Sequence, residues 1–367
     1  MLKPHYVMIG GFLGAGKTTA ILRLGERLHQ QGKRVGLITN DQGADLVDTA
    51  LLRSHGYATE EISGGCFCCK FNSLIDAANK LTADLQPDVF IAEPVGSCTD
   101  LRSTVSYPLR RMHGDNYTIA PLSVLADPIR AQRVLRLKTG KQFSSKVMYI
   151  YEKQLEEANI VVINKTDLVT LAELDELDAA IRARWPGTHV MRICARTGEG
   201  VDRWLQAIVA DELTGGSTME IDYDRYAEGE ALLGWLNLTA DLSGAEFDGN
   251  RFLLDLSAAV ETRLLSEVVD IAHLKMTLLP SEGPDIAVVN LVRAGADPEL
   301  SHQLTDPLTE GELLLNLRAE GTPEAIREGV MQSLREVSAT YRIGVVVRNV
   351  SAFCPSRPVP VHRFDDV

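Results

Sequence analysis

The sequence has 367 residues, 45% of them hydrophobic, and a net charge of −13. It has no run of about 18 apolar residues that could cross a membrane, and its start lacks a signal-peptide cleavage region, so we expect a cytoplasmic protein with no membrane partner. The charge is concentrated in residues 206–367, where 12 Lys and Arg accompany 27 Asp and Glu. Because such acidity repels phosphate backbones, we expect no nucleic-acid partner; the acidity serves solubility or attracts a basic partner protein.

The first part of the chain alternates between strand-like and helix-like patterns. An apolar run, HYVMIGG, precedes a Gly-rich loop and the pattern KTTAILRLGERLHQQG, whose apolar residues fall on one helical face. Further runs typical of buried strands are RVGLITN, DVFIAEPV, APLSVLAD, NIVVINK and HVMRICA, with helical patterns such as LAELDELDAAIRARW between them. This alternation predicts an α/β domain over residues 1–210, with a mostly parallel sheet covered by helices.

The pattern changes after residue 206, and residues 213–224, LTGGSTMEIDYD, are typical of a linker. Beyond them two strand–helix–strand patterns follow one another, with an additional strand, DIAVVNLVRAG, between the two units. They predict a smaller α+β C-terminal domain over residues 225–367, ferredoxin-like in outline. The second helix is expected to have Thr322 as its cap and Pro323 as its first residue.

Residues 11–18, GFLGAGKT, fit the phosphate-loop pattern and lie between a predicted strand and a predicted helix, as that mechanism requires. The pattern predicts a P-loop NTPase domain, against the alternative of a Gly-rich turn before an ordinary helix. Lys17 is expected to contact the β and γ phosphates, and the Thr18 hydroxyl to ligate Mg²⁺. The predicted nucleotide-binding residues of the loop are Gly11, Gly14, Ala15, Gly16, Lys17, Thr18 and Thr19.

The segment NKTD, residues 164–167, follows the strand NIVVI and indicates which base is bound. An ionised Asp167 only accepts hydrogen bonds, and guanine offers N1–H and N2–H₂ side by side where adenine offers an acceptor. GTP is therefore favoured over ATP. Asn164 and Lys165 join the predicted base pocket, which Ala195 in the segment CARTG completes through its backbone N–H. The alternative is a helix-capping loop.

Acidic residues follow the second and third predicted strands. Asp41 and Asp48, in ITNDQGADLVD, lie where a switch loop senses Mg²⁺ or the γ phosphate. Glu93, in IAEPVG, lies where phosphate-loop proteins hold the outer ligands of that metal. Lys17, Asp41 and Glu93 are the predicted catalytic residues. The alternative is that the strand ends simply carry exposed carboxylates.

The stretch GGCFCCK, residues 64–70, places three of the six cysteines within four positions. A reducing compartment disfavours disulfides, so the thiols are expected to be free or metal-bound. Thiolates suit Zn²⁺, Cu⁺ and, at lower affinity, Co²⁺ and Ni²⁺, and three of them leave a fourth position for another protein ligand, water or a receiving protein. Because the spacing differs from that of structural zinc knuckles and no second Cys or His pair is near, core or redox-active thiols remain an alternative.

Taken together, GGFLGAGKTT, the ND.G loop, GGCFCC, E..G and QLEEANIVVINKTDL resemble the CobW-type GTPase family, which is similar to the GTPases that mature hydrogenase and urease. The resemblance rests on motifs across residues 5–205 and on pattern alone beyond them. It implies a GTP-hydrolysing metallochaperone or metal-insertion factor, with members linked to cobalamin pathways. It also implies that Cys66, Cys68 and Cys69 bind the metal, with GTP, Mg²⁺ and Zn²⁺, Co²⁺ or Ni²⁺ as cofactors.

Two features depart from the family pattern. The eight histidines are scattered, whereas many relatives have a histidine-rich stretch, and residues 40–44 read NDQGA in place of Asn-Glu-Phe-Gly-Glu.

Two functions are therefore compared. The first is nucleotide-coupled delivery to a client metalloprotein or corrinoid-related protein, by a monomer or a homodimer. The second is a regulatory GTPase switch that senses metal or redox state and docks a partner, such as a corrinoid-dependent enzyme, without delivering metal. NKTD disfavours a third, an ATP-dependent kinase.

Overall fold

The computed structural model describes residues 3–43, 47–140, 142–210, 218–283 and 285–366. Packing divides the chain into two units. Unit 1 comprises Met1–Gln42, Gly56–Gly229 and Arg357–Val367, and unit 2 comprises Gly43–His55 and Glu230–Ser356. Residues 213–217 of the predicted linker lie outside the described residues. Within the described ranges, no helix combines the length and the apolar character needed to cross a membrane.

Unit 1 is built on a parallel sheet. Its strands are β1 (His5–Gly11), β2 (Val35–Asn40), β3 (Ala58–Ile62), β4 (Val89–Glu93), β5 (Thr118–Ile119), β6 (Ser123–Ala126), β7 (Ile160–Ile163) and β8 (His189–Arg192). Their order is β3-β2-β4-β1-β6-β7-β8, with β5 beside β1, and the pairings between them are parallel. This confirms the predicted P-loop NTPase fold with a mostly parallel sheet.

Helices connect and cover the strands. In chain order across both units they are α1 (Lys17–Gln30), α2 (Val47–Ser54), α3 (Phe71–Leu85), α4 (Tyr107–His113), α5 (Pro128–Val134), α6 (Ser145–Glu157), α7 (Leu171–Arg184), α8 (Val201–Val209), α9 (Tyr223–Leu232), α10 (Gly249–Ser266) and α11 (Pro323–Tyr341). A turn of π-helix over Arg102–Ser106 leads into α4, and a short 3₁₀ turn covers Thr166–Leu168.

The central strands of unit 1 are buried along their whole length, as parallel strands covered on both faces should be. Every residue of β2, β4, β6 and β7 is buried, which accounts for their continuous apolar runs. The edge strand β3 differs, because only Thr59 and Ile62 of its ATEEI sequence are buried. The carboxyl ends of β1, β2, β4 and β7 therefore rest on a well-packed scaffold.

Unit 2 contains an antiparallel sheet. Its strands are β9 (Leu233–Phe247), β10 (Asp270–Pro280), β11 (Ala287–Leu291), β12 (Glu299–His302), β13 (Leu308–Glu320) and β14 (Ile343–Phe353). The order β12-β11-β10-β13-β9-β14, with α10 after β9 and α11 after β13, contains the predicted ferredoxin-like β-α-β-β-α-β core. The sequence predicted β11 as the additional strand; the structure adds β12 beside it.

The core of unit 2 joins the apolar faces of α10 and α11 to the sheet. Phe252 and Leu256 of α10 and Val330 of α11 belong to one buried cluster with Leu274 and Leu315 of the strands. At the start of α11 the Thr322 side chain accepts a hydrogen bond from the Ala325 N–H, with Pro323 in the first helical turn, which confirms the predicted cap.

The short helix α2 belongs to unit 2 although it follows β2 in the chain. The Val47 N–H donates to Asn316 Oδ1 of β13 at 2.9 Å. Asp48, which the sequence suggested as a switch residue, forms an ion pair with Lys275 of β10. The chain therefore leaves unit 1 immediately after the residues that end β2.

Candidate nucleotide-binding and metal-binding sites

At two of its glycines the loop between β1 and α1 has no room for a Cβ atom. Gly11 and Gly16 have φ angles of +135° and +88°, in the region that side chains disfavour. A Cβ atom on Gly11 would lie 2.5 Å from the Leu125 carbonyl oxygen, and one on Gly16 would lie 2.5 Å from Asn164 Nδ2. The loop therefore passes close to β6 and to the end of β7, and it leads into the N-terminus of α1, which favours anions.

Three of the predicted residues meet at the start of α1. Lys17 Nζ donates to the Gly11 carbonyl oxygen at 2.9 Å and lies 3.9 Å from Glu93 Oε1. Thr18 Oγ1 donates to the same carboxylate oxygen at 3.3 Å. All three side chains are buried. Hydroxyl and carboxylate oxygens are the ligands that Mg²⁺ prefers, so Thr18 and Glu93 fit the predicted ion.

The segment after β7 contacts the phosphate loop directly. Asn164 Nδ2 donates to the Ala15 carbonyl oxygen at 2.9 Å, and Asn164 Oδ1 accepts from the Ala195 N–H at 3.0 Å. Lys165 Nζ donates to the Gly14 carbonyl oxygen at 2.6 Å. The structure thus brings the predicted base-recognition residues and the phosphate loop together within one unit.

Asp167 lies beside Ala195, between two donors. Its Oδ1 accepts from Cys194 Sγ at 3.1 Å, and its Oδ2 forms an ion pair with Arg196. The neighbouring carbonyl oxygens of Ala195 and Arg196 accept hydrogen bonds from the Arg23 guanidinium of α1. The CARTG segment is therefore anchored to α1 as well as to Asn164.

Two residues that the sequence analysis missed support this site. Asp127, at the end of β6, pairs with Lys165 Nζ at 3.1 Å, and its Oδ1 accepts from the Arg130 N–H at 3.0 Å. Burial favours a higher pKa for Asp127, but the positive charges of Lys165 and Arg130 outweigh burial and hold its pKa below the ordinary value. Arg130 also donates to the Leu13 carbonyl oxygen of the loop. In the sequence, the Asp-Pro pair at residues 127–128, which is typical of the start of a helix, could have indicated this position.

Asp41 and its neighbour Asn40 connect the end of β2 to the next strand and to the cysteine segment. The Asp41 N–H donates to the Ile62 carbonyl oxygen at 3.1 Å, and its side chain is half-buried. Asn40 Nδ2 donates to the carbonyl oxygens of Ile62 and Gly65, at 2.9 and 2.7 Å. One buried amide therefore ties the predicted switch segment to the backbone before Cys66.

The three predicted thiols converge at the turn between β3 and α3. Cys66 Sγ lies 3.0 Å from Cys68 Sγ and 3.1 Å from Cys69 Sγ, and the other pair is 3.8 Å apart. The Cys66 carbonyl oxygen accepts from the N–H groups of Cys69 and Lys70, which closes the turn around the sulfurs. Among the described residues, this is the one group of at least three Cys, His, Asp or Glu suited to a metal ion.

The thiols differ in acidity. The pKa of Cys66 lies well below the usual thiol range, because hydrogen bonds with Cys68 and Cys69 favour its charged form. The same contacts to Cys66 raise the pKa values of Cys68 and Cys69, and burial adds to both. All six cysteines are free, as expected. A lowered thiol pKa favours the thiolate form that binds soft metal ions.

The segment Arg357–Val367 packs beside the cysteine turn within unit 1. The Val359 N–H donates to Cys69 Sγ at 3.2 Å, and the Val361 N–H donates to the Cys68 carbonyl oxygen at 2.9 Å. Hydrogen bonds to a thiolate sulfur stabilise its charged form. Sequence reasoning missed this contribution, because nothing in the local pattern of residues 357–367 points to the cysteines.

Comparison with known proteins agrees with this geometry. Residues 5–192 match the family described as CobW/HypB/UreG, nucleotide-binding domain. The chain is 30% identical over 211 residues to the zinc chaperone CobW of a Sinorhizobium species, covering 52% of this chain and 59% of that protein. It is also 30% identical over 183 residues to the zinc chaperone YeiR of Escherichia coli K12, covering 48% and 50%.

Among solved structures, HypB from Helicobacter pylori in complex with nickel matches with a TM-score of 0.43 and 17% identity, covering 60% of this chain and 92% of that one. The chain spans 59% and 50% of the lengths of these two curated relatives. The family match itself covers more than half of this chain. The chain therefore belongs to the CobW/HypB/UreG family of nucleotide-binding proteins.

Proposed function

We propose that this protein binds and hydrolyses GTP and carries a transition metal, as cargo, on Cys66, Cys68 and Cys69, for delivery to a client metalloprotein. The observation that carries the proposal is the group of three thiols, all within 4.8 Å of one another, in the same unit as the phosphate loop. Metal binding by thiolates and nucleotide binding by a glycine loop are separate chemistries, and a protein that combines them can link one to the other.

Each part of the nucleotide has a proposed set of binding residues. The backbone of the loop from Gly11 to Gly16 and the α1 N-terminus would bind the phosphates, with Lys17 at the β and γ positions. Asn164 and Ala195 hold the base pocket together, and Asp167 would accept from guanine N1–H and N2–H₂. Two such charge-assisted bonds, at about 1.5–3 kcal/mol each, favour GTP over ATP.

Hydrolysis is proposed to depend on positive charges held next to the γ phosphate. Lys17 would stabilise negative charge on the transferring group, and Thr18 with Glu93 would hold the Mg²⁺ ion and its water ligands. Bound Mg²⁺ would neutralise phosphate charge and orient its oxygens. Asp41, at the end of β2, is the proposed residue that responds to the γ phosphate.

The proposed coupling follows covalent and hydrogen-bonded connections inside unit 1. Asn40 precedes Asp41 and donates to the Gly65 carbonyl oxygen, next to Cys66. A shift of the β2 end on loss of the γ phosphate would move this amide and with it the cysteine turn. The relatives named zinc chaperones support zinc as the cargo.

Metal titration in two nucleotide states tests the proposal. Zn²⁺ and Co²⁺ affinities are measured with GDP and with a non-hydrolysable GTP analogue, both with Mg²⁺. We expect the affinities to differ by about 5–150-fold, and reciprocity requires metal to change nucleotide affinity by the same factor. Replacing Cys66, Cys68 and Cys69 together by Ser should abolish the difference, whereas Cys354→Ser, outside the cluster, should preserve it.

Release kinetics separate delivery from regulation. Transfer of bound Zn²⁺ to a chromophoric chelator is followed in both nucleotide states. Release that is faster in one nucleotide state supports delivery. Equal release rates together with a nucleotide-dependent affinity for a partner would favour the regulatory switch. Equal metal affinities in both states, or affinities that survive the triple Ser variant, would contradict the proposed function as a whole.

A further inference from the structure

We propose that the backbone N–H of Val359 is a positioning group for the metal site, which keeps the Cys69 sulfur in place as a ligand and slows release of the metal. This inference rests on the proposed function, because it takes the three-thiol cluster to be the metal site. The donor belongs to the segment Arg357–Val367 and lies 290 positions after Cys69, outside the pattern by which the sequence identified the thiols.

Cys69 is the most accessible of the three thiols. Cys66 and Cys68 are buried, at 4% and 2% exposed, whereas Cys69 is only partly buried. The Val359 N–H donates to the Cys69 sulfur at 3.2 Å. A chelator or a receiving protein that removes the metal must displace the thiolates, and it can begin at the least buried one. The segment therefore contacts the ligand at which exchange of the cargo would begin.

The prolines of the segment leave donors on one side of it. Pro358 and Pro360 have no backbone N–H, so Val359 and Val361 supply the donors of this stretch. The Val361 N–H donates to the Cys68 carbonyl oxygen at 2.9 Å, so both donors are used on the cysteine turn. Each proline restricts the residue before it to extended backbone, in which alternate N–H groups point to the same side. The sequence thus favours a single binding edge, which faces the turn.

The segment is anchored beyond the thiols. The His362 ring makes a T-shaped contact with the Phe71 ring at the start of α3, with centroids 5.1 Å apart. Arg363 pairs with the buried Asp100 carboxylate at 2.9 Å. The Val359 side chain is 70% exposed and contributes little to this packing. The contribution of Val359 to the site is therefore its N–H group.

A hydrogen bond to a metal-bound sulfur has two effects. It fixes the orientation of the ligand, and it stabilises the negative charge of the thiolate. Both effects oppose detachment of the sulfur from the metal. Loss of such an outer partner typically lowers metal affinity by about 10–100-fold. We therefore expect the rate at which Cys69 leaves the metal to depend on the Val359 N–H.

Replacement of Val359 by Pro and by Ala separates the N–H from the side chain. Val359→Pro removes the donor between two residues that are already prolines, whereas Val359→Ala keeps it. Zn²⁺ affinity and the rate of Zn²⁺ transfer to a chromophoric chelator are measured for both variants in the same nucleotide state. Val359→Pro should weaken Zn²⁺ binding by about 10–100-fold and accelerate release. Val359→Ala is the matched control and should stay within about twofold of the wild type.

The Co²⁺ form reports the hydrogen bond itself. Because the bond stabilises the sulfur lone pairs, its loss in Val359→Pro should move the sulfur-to-metal charge-transfer absorption to longer wavelength. The Val359→Ala protein should absorb at the wild-type wavelength. Circular dichroism and thermal unfolding establish that both variants fold.

Amide exchange in the wild-type protein tests the same contact without any substitution. In protein labelled with ¹⁵N-valine, the Val359 N–H should exchange with solvent at least about tenfold more slowly with Zn²⁺ bound than without metal, because a metal-bound thiolate is a fixed, charged acceptor. Equal exchange rates in the two forms would overturn the proposal. This measurement decides if Val359→Pro does not fold.

The outcomes distinguish this inference from the proposed function. Zn²⁺ release from Val359→Pro that is no faster than from the wild type, or equal effects of the two substitutions, would overturn the role of the N–H and leave the three-thiol site in place. Absence of metal binding by the wild type would overturn both.

Discussion

At the scale of single residues, Gly16 lies where the loop before α1 meets Asn164 of the segment after β7. Its hydrogen atom faces Asn164 Nδ2, the amide that also donates to Ala15. A methyl group there would push Asn164 away from Ala15 while straining a backbone with φ of +88°. The glycine is therefore needed for contact with the second motif as well as for the bend of the loop.

Lys17→Ala should abolish GTP hydrolysis and weaken GTP binding, since it removes the cation at the start of α1 and leaves Glu93 without its positive neighbour at 3.9 Å. Single-turnover hydrolysis and nucleotide titration measure the two effects. Intrinsic rates of related switch proteins fall as low as about 10⁻⁴ s⁻¹, so the assay must resolve slow turnover. Lys33→Ala, an exposed lysine after α1, is the control. Wild-type turnover in Lys17→Ala would refute the phosphate-loop assignment.

Asp167→Asn should shift preference from guanine towards xanthine nucleotides. The amide presents N–H₂ where guanine also has a donor, whereas xanthine presents a carbonyl oxygen. We expect GTP affinity to fall by at least about tenfold, equivalent to about 1.4 kcal/mol. Competition between GTP and XTP for the site measures the shift. An unchanged ratio would mean that Asp167 does not contact the base.

What the sequence predicts at this scale is limited to residues that a local pattern identifies. Lys17, Thr18 and Asn164 follow from short motifs, and the structure brings them together. Asp127 is absent from those motifs, because its environment is created by strands that are distant in sequence. Its partner, Lys165, lies 38 positions away in the chain.

At the scale of elements, hydrophobic runs predict the strands that carry them and miss the short polar edge strands β3 and β12. β1, β2, β4, β6, β7 and β8 were all recognisable, because each carries an apolar run. β3 and β12 are short and largely polar, with the sequences ATEEI and ELSH, so they give no such signal. Their backbones are ordered by the neighbouring strands, which a single-sequence pattern does not represent.

Helix α6 carries a buried acid that should make stability depend on pH. Burial, with the nearby charge of Asp100, raises the pKa of Glu157 to about 8 from the ordinary 4.5. Between these values the folded protein holds the proton and the unfolded chain does not, so the free energy of unfolding should fall as pH rises from about 4.5 to about 8. The slope is at most about 1.4 kcal/mol per pH unit.

Glu157→Gln removes this titrating group, so the free energy of unfolding should change less with pH between about 4.5 and 8. Denaturant unfolding at several pH values measures that free energy. Glu156→Gln on the same helix controls for the loss of one carboxylate. Thr99 Oγ1 and the Arg102 N–H, which donate to Glu157 at 3.2 and 3.1 Å, can still reach the Gln carbonyl oxygen one at a time. A variant that keeps the wild-type slope would show that Glu157 is ionised in the folded protein.

At the scale of the whole molecule, the segment Arg357–Val367 is part of unit 1 although it follows all of unit 2. Arg363 Nε pairs with Asp100 Oδ2 at 2.9 Å, and Asp100 is 1% exposed. Tyr223 donates to the same oxygen at 2.7 Å. The Phe364 N–H donates to the Ser103 carbonyl oxygen at 3.0 Å. The segment is thus attached through a buried carboxylate and through backbone hydrogen bonds.

Arg363→Ala should lower the free energy of unfolding of unit 1 by about 1–3 kcal/mol, because it removes the cation from a buried carboxylate. Arg357→Ala in the same segment is the matched control. Its pair with Asp224 is largely exposed, so we expect a change within about 1 kcal/mol. Thermal unfolding of both variants measures the difference. Equal effects would mean that the buried pair contributes no more than a surface one.

The division of the chain into two interleaved units has a consequence for biosynthesis. A ribosome makes the thiol turn well before residues 230–356 and the segment Arg357–Val367, which donates to Cys68 and Cys69. During translation the sulfur of Cys69 therefore lacks the Val359 N–H for the time needed to make the 290 residues between them, which is roughly 15–60 s at about 5–20 residues per second. In the nascent chain the thiols can meet metal ions or oxidants before the segment's hydrogen bonds form.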